Sequence, residues 1–348
     1  MKPFPGVVTS LPRQLAPLRT EVARGDALLE LVNGELDRLA ARCDAPATAR
    51  AAWLAATVRA VPEPDPWAVV VRDGLGVARA AAVLLSVGDA QREVVALAGS
   101  ATGHRSAVVA ESAAAAALLG HTVGEILLRS HRPTTLLLGP MDAGSRGLAE
   151  FAATIPGAEV AEALPIPAVR RHSGDDVNDY LSASMRRTLR KAANRLRADG
   201  CRTSFRFTRD SAEIAALLPA LQDVHRARNH GQGRASELDD PVGRRIWNGR
   251  VVALAQDGLL EVSTLSIDGG IAAQVIALVE PTSYCILEGF MVSDFSRYAA
   301  GRVLESAVLQ RFLDDATKDR LDWMTSVAPE SLLAANELQP VSVVRAAW

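Results

Sequence analysis

The chain has 348 residues, 49% of them apolar and 22% charged, with 38 Lys and Arg against 40 Asp and Glu for a formal net charge of −2. So much apolar surface excludes a disordered chain, the near-zero charge gives no bulk drive onto nucleic acid or a membrane surface, and Gly 25 with Pro 18 excludes a collagen-like or low-complexity one. The length is that of two domains. Only Lys2, Lys191 and Lys318 of the basic residues are lysines, a skew that goes with the long alanine runs and reads as codon bias. Cys43, Cys201 and Cys285 are few, distant and odd in number, so they make neither a disulfide framework nor a zinc set and read as small buried hydrophobes. The Met1-Lys2-Pro3-Phe4-Pro5 start lacks an apolar leader and no run reaches the roughly 18 residues of a membrane span, which predicts a cytoplasmic protein.

In chain order, Glu21 to Arg59 has helical spacing broken at Asp44-Ala45-Pro46 and predicts two helices. After the proline-rich break at Pro62 to Pro66, Trp67 to Val71 and Val77 to Val87 flank an Asp73-Gly74 turn and predict a hairpin. Gly74-Leu75-Gly76 lacks the third glycine of a dinucleotide loop and leads into a strand. Next come a strand (Glu93 to Ala98), a helix (Ala110 to Arg129), a strand (Thr134 to Leu138), a helix (Ala143 to Thr154) and a strand (Glu159 to Ile166), with Pro165 to Arg171 as connector. The second block opens with a helical stretch, Asp175 to Asp199, closed by Gly200, and a strand, Arg202 to Phe207. Asp210-Ser211-Ala212-Glu213 has the spacing of a capping box before a helix, and Pro241 starts another that runs through Trp247 to Ala255. Three hairpin-linked strands follow, Leu259 to Ile267, Ile271 to Val279 and Tyr284 to Val292, then a helix (Ala300 to Asp315), a strand (Leu321 to Thr325), a helical piece (Pro329 to Asn336) and a strand (Val341 to Ala347). A simple alternating parallel fold would not place three hairpin-linked strands in succession. The order predicts an α/β protein of two repeats, each a mixed, mostly antiparallel sheet flanked by helices.

That layout resembles the GNAT acyltransferase fold. The segment from Glu288-Gly289-Phe290-Met291-Val292 through Arg297-Tyr298-Ala299-Ala300-Gly301-Arg302-Val303-Leu304, with Tyr180-Leu181-Ser182-Ala183-Ser184-Met185-Arg186-Arg187 upstream, resembles the CelD-like (BioF-like) acetyltransferases. The resemblance covers about residues 170 to 348 and implies an acyltransferase domain at 169–348 behind a degenerate GNAT-like domain at 1–168. Fem-like aminoacyl transferases, which use aminoacyl-tRNA in place of acyl-CoA, share the two-repeat plan.

A loop of small residues at a helix N-terminus offers free N–H groups and the positive end of the helix dipole to an anion, so the Arg297 to Val303 turn suits a pyrophosphate. An ordinary strand-to-helix turn has the same composition. The resemblance places acyl-CoA against Phe290, Met291, Val292, Arg297, Ala300, Gly301, Arg302 and Val303. In GNAT enzymes the motif is usually Arg/Gln-x-x-Gly-x-Gly/Ala, and here alanine and arginine replace two of its small residues. Glu288 shares one strand face with Phe290 and Val292, and burial would raise its pKa toward that of a general base. A structural ion pair is the competing reading. Ser326 lies where a donor to the leaving thiol could sit, while His225, Arg228, Tyr284 and Asp294 are candidates at the acceptor side. His225 and His230 lack an evident third ligand, so no metal is expected, and His104, His121, His131 and His172 read as surface or loop residues. Arg186, Arg187, Arg190, Lys191, Arg195 and Arg197 form a basic helix stripe suited to tRNA phosphates or to a solvated, ion-paired face. The expected partner is a small-molecule amine, with acetyl-CoA or another acyl-CoA as co-substrate, or aminoacyl-tRNA in the Fem-like alternative. No membrane partner is expected, and exposed strand edges would admit a homodimer.

Overall fold

The computed structural model describes residues 17–61, 66–88, 93–100, 103–172, 176–327 and 332–348. Its first half contains β1 (Arg19–Arg24), α1 (Gly25–Leu31), a π turn leading into α2 (Asp37–Arg42), α3 (Ala51–Ala60), β2 (Trp67–Arg72), β3 (Ala78–Gly88), β4 (Glu93–Leu97), β5 (Val109–Ala110), α4 (Ala113–Leu128), β6 (Thr134–Asp142), α5 (Leu148–Ala153) and β7 (Glu159–Glu162). Then come β8 (Ile166–Arg170), α6 (Val177–Tyr180), α7 (Ala183–Ala198), β9 (Thr203–Thr208), α8 (Ser211–His230), α9 (Pro241–Gln256), β10 (Leu260–Ile267), β11 (Gly270–Val279), β12 (Ser283–Met291), α10 (Ala300–Asp314), β13 (Arg320–Asp322), β14 (Glu337–Gln339) and β15 (Val341–Ala347).

Two mixed sheets result, in the orders β1-β2-β3-β4-β6-β15-β7, with β5 on β3, and β14-β8-β13-β12-β11-β10-β9. Each repeats one scheme: three antiparallel strands, a helix, and a strand parallel to the third (β4 with β6, β12 with β13). This is the predicted α/β architecture. The chain also passes between the sheets: β8 lies between β13 and β14, and β15 returns to the first sheet between β6 and β7.

The core has three layers of apolar contact. One cluster joins the halves, with Leu28, Leu39, Trp53 and Val70 of the first packed against Leu221, Trp247, Val251 and Ile276 of the second. A second fills the outer face of the first sheet beneath α4 and α5, and a third fills the outer face of the other sheet beneath α7 and α10. Because both faces of β2 are covered, Trp67 to Val71 are all buried and read as an unbroken apolar run.

Several sequence expectations change. Residues 19–24 form β1, not helix, because they complete the open edge of β2, and the helix begins only at Gly25, whose φ of +54° ends the strand. The expected single strand over Glu159 to Ile166 ends at Glu162, and the expected connector contains β8, with Ile166, Ala168 and Val169 fully buried. Two prolines had masked that strand. The start of the expected helical piece near Pro329 lies outside the described residues; 332–336 carry no helix and lead into β14. Cys285 is buried as expected, whereas Cys43 and Cys201 are half-buried. No helix among the described residues is long and apolar enough to cross a membrane.

Candidate active site

β12 and β13 pair only from Ser283 to Cys285 and Arg320 to Asp322. β13 stops there because Asp322 accepts the N–H of Met324 at 2.6 Å and Met324 turns with φ 53°. β12 continues to Met291, so the strands splay and its far edge is open. The splay is a cleft of about 520 Å³ whose walls include Leu287, Gly289, Phe290, Met291, Trp323 and Thr325.

The pairing of β12 with β11 is interrupted by a bulge, since Ile276 faces Glu288 while Ala277 faces Ile286. Leu287 is the extra residue. Before it, Tyr284 and Ile286 pack on the α10 side of the sheet; after it, Leu287 and Glu288 both face the middle layer. The bulge therefore aims the Glu288 carboxyl at α8 and α9. Oε1 accepts the indole N–H of Trp247 at 2.7 Å, and Oε2 is buried with no hydrogen-bond partner among the described residues. Burial raises the Glu288 pKa to about 7, against the lowering effect of His225.

The buried His225 of α8 lies within 4.8 Å of Glu288. Its Nδ1 meets Ser236 Oγ at 2.9 Å and the Asn229 amide at 3.2 Å, its Nε2 lies 3.5 Å from Glu237 Oε1, and its ring packs 4.5 Å from that of Phe290. The hydrogen bond from His225 holds the Glu237 carboxyl below its ordinary pKa. Ligand atoms of His225, Glu237 and Glu288 lie within 4.8 Å of one another, so the three could serve a cation or relay a proton from Glu288 to the surface.

In the expected phosphate turn, a short 3-10 segment over Ser293–Tyr298 ends at Ala299, which takes the left-handed conformation (φ 48°, ψ 41°). Val303 N–H bonds back to Ala299 O, so the earlier first-turn N–H groups of α10 point ahead of the helix. A Cβ on Gly301 would meet Met291 Cβ at 3.4 Å.

Of the sequence candidates, Phe290, Met291, Gly301, Arg302 and Arg228 line the cleft. Arg302 is paired with Glu305 at 2.7 Å, and Arg297 with Asp199 at 2.6 Å. The Ala300 side chain is buried in the α10 core, Val303 lines a separate groove beside α7, and neither they nor Val292 border the cleft described here. Tyr284 is a correction: it sits on the far side of the sheet, and its hydroxyl donates to Glu261 at 2.6 Å. Ser326 is another, being exposed and bonded to Leu164 O, and Asp294 is exposed on the 3-10 segment.

Sequence reasoning missed Trp247, Glu237, Gln274 and above all His104, which is buried and not a surface residue. None carries a local signal; each is brought in by tertiary packing. His104 Nε2 lies 3.0 Å from the carbonyl of the bulge residue Leu287.

Residues 183–329 match the family described as acetyltransferase (GNAT) domain. No curated protein sequence matches the chain significantly. Among solved structures, a tandem GNAT protein from the clavulanic acid biosynthesis pathway is 15% identical, with 94% of this chain and 98% of that chain covered and a TM-score of 0.52. FemX is 10% identical over 74% of this chain and 78% of its own, with a TM-score of 0.50. A conserved protein of unknown function from Bacteroides thetaiotaomicron is 10% identical over 94% and 100%, with a TM-score of 0.57. The fold is thus that of the tandem GNAT-like acyltransferases, shared with Fem-like enzymes. The match to the GNAT acetyltransferase domain over residues 183–329, within this fold, supports acyl transfer as the activity.

Proposed function

We propose that the protein transfers an acyl group, acetyl in the simplest case, from acyl-CoA to the amine of a small molecule, with Glu288 as general base. The observation that carries this reading is the Glu288 carboxyl, re-aimed by the Leu287 bulge, with Oε2 left without a partner among the described residues and its pKa raised to about 7, on the strand whose residues Leu287 and Gly289 line the cleft. A base is most effective when its pKa lies near the working pH.

The amine nitrogen attacks the thioester carbonyl carbon, the C–S bond breaks from the tetrahedral intermediate, and CoA leaves as the thiolate. The proton lost by nitrogen goes to Glu288 and onward to the surface through His225 and Glu237. The open backbone edge of β12 holds the pantetheine arm, and the first turn of α10 holds the pyrophosphate. Calorimetric titration with acetyl-CoA tests the donor: binding by the wild type that is lost in Gly301→Glu supports the reading, and no binding of any acyl-CoA overturns it.

One observation favours aminoacyl-tRNA as donor instead. Arg187, Arg190 and Lys191 are exposed on α7 with no ion-pair partner among the described residues, whereas Arg186 and Arg197 bond to nearby groups of the chain and Arg195 donates to the Arg297 carbonyl. A steep fall of tRNA affinity with salt, softened by neutralising those three, would favour this reading.

A further inference from the structure

Gln274 of β11 is fully buried at 0% exposure and lines the cleft, yet neither Oε1 nor Nε2 has a hydrogen-bond partner among the described residues. Leaving a buried amide unsatisfied costs about 1–3 kcal/mol, so such a group at a site wall calls for a ligand. Gln274 sits directly opposite Phe290 in the β11–β12 register. Phe290 in turn packs on His225, and Arg228 follows His225 by three residues on α8, one turn along the same helix face. Sheet and helix thus bring Gln274 and Arg228 to one end of the cleft.

Arg228 lines that cleft and has no hydrogen-bond or ion-pair partner among the described residues. Burial lowers its pKa, and the charge facing it, Arg234, has the same sign. A half-buried guanidinium with a like charge beside it, near an unsatisfied amide, is suited to an anion.

Resting on the acyl-transfer reading, we propose that Arg228 and Gln274 bind a carboxylate of the acceptor, which is therefore an amino acid or an amino-acid-like compound. One planar guanidinium and one amide N–H match the two oxygens of a carboxylate. The donor's phosphates have the first turn of α10. Glu288 and Phe290 are two residues apart, about 7 Å along β12, and His225 and Arg228 one turn apart, about 5 Å along α8. The base and the anion site are thus neighbours along β12 and α8.

The test is the rate at which phenylglyoxal modifies Arg228, followed by peptide mass spectrometry with CoA present at saturation. β-Alanine should slow the modification and propylamine, which lacks the carboxylate, should not. Gln274→Leu should weaken the protection about tenfold, the effect of one hydrogen bond to a charged group. Gln274→Glu, which supplies its own carboxylate to Arg228, should slow labelling with no ligand added. Failure of β-alanine to protect would overturn the proposal, as would full protection by CoA alone, which would assign the anion to the donor. Protection by β-alanine in a protein that binds no acyl-CoA would retain the carboxylate site and remove the acyl-CoA reading.

Discussion

The His104 ring, supplied by the first half of the chain, places Nε2 3.0 Å from the carbonyl oxygen of Leu287, the bulge residue of the second half. A carbonyl only accepts, so Nε2 carries the proton. The next residue works on the other strand: Arg105 N–H donates to Met324 O at 2.8 Å, and its buried guanidinium pairs with the buried Asp322 of β13 at 2.9 Å. Two adjacent residues of the first half therefore grip both strands of the splay. The loop before β5, in the first half of the chain, thus buttresses the cleft of the second.

His104→Ala should leave the Leu287 carbonyl unpartnered, costing about 1–3 kcal/mol, and should lower kcat about tenfold with little change in donor KM as the bulge loosens. His104→Gln, which keeps an N–H at similar reach, should restore both. Burial lowers the His104 pKa from 6.5 to about 4, so the unfolded chain binds its proton first as pH falls. Stability should therefore drop between pH 6.5 and 4 in the wild type and less so in His104→Gln, as read by thermal melts.

Glu288→Gln should reduce kcat by about 10²–10³-fold and remove the ascending limb of the rate profile near pH 7. The folded carboxyl holds its proton up to about 7 while the unfolded one releases it near 4.5. Its contribution thus weakens the fold as pH rises between those values, by up to about 3 kcal/mol. The variant should be relatively more stable at pH 8 than at pH 5. An unchanged rate profile would assign the proton transfer to another group.

Tyr284→Phe separates structure from chemistry. Glu261, fully buried, accepts from Tyr284 at 2.6 Å, from Arg311 at 2.6 and 2.9 Å, and from Arg209 at 2.7 Å. Loss of the hydroxyl should cost about 1–3 kcal/mol of stability, seen as a lower Tm, and leave kcat/KM unchanged. Glu261→Gln should cost more, because it leaves the buried Tyr284 hydroxyl and the half-exposed Arg209 and Arg311 guanidinium groups without their shared anion.

At the turn before α10, Ala299→Gly should raise stability by about 1 kcal/mol, since glycine enters the left-handed region without the Cβ penalty. Gly301→Ala should be tolerated, its Cβ meeting only the Met291 side chain, while Gly301→Glu should abolish acyl-CoA binding without unfolding the protein. Calorimetry and melting curves on the three variants distinguish backbone strain from ligand contact.

The two repeats, the three-strand meander of each and the location of the turn before α10 were legible in the residues, though not β1 or β8, because helical and strand periodicity and the Asp-Gly turns are local signals. The shared face of Glu288 and Phe290 was legible too, from alternation along one strand. What the sequence could not carry was the bulge at Leu287: an extra residue changes which layer Glu288 faces, and it is decided by how β12 registers on β11. By strict alternation Tyr284 and Glu288 would point the same way, yet the fold sends one to Glu261 and the other to Trp247. The same holds for His104, Trp247 and Gln274, whose roles arise from contacts between segments far apart in the chain. Periodicity reports which faces are apolar, and only packing decides which buried polar groups meet.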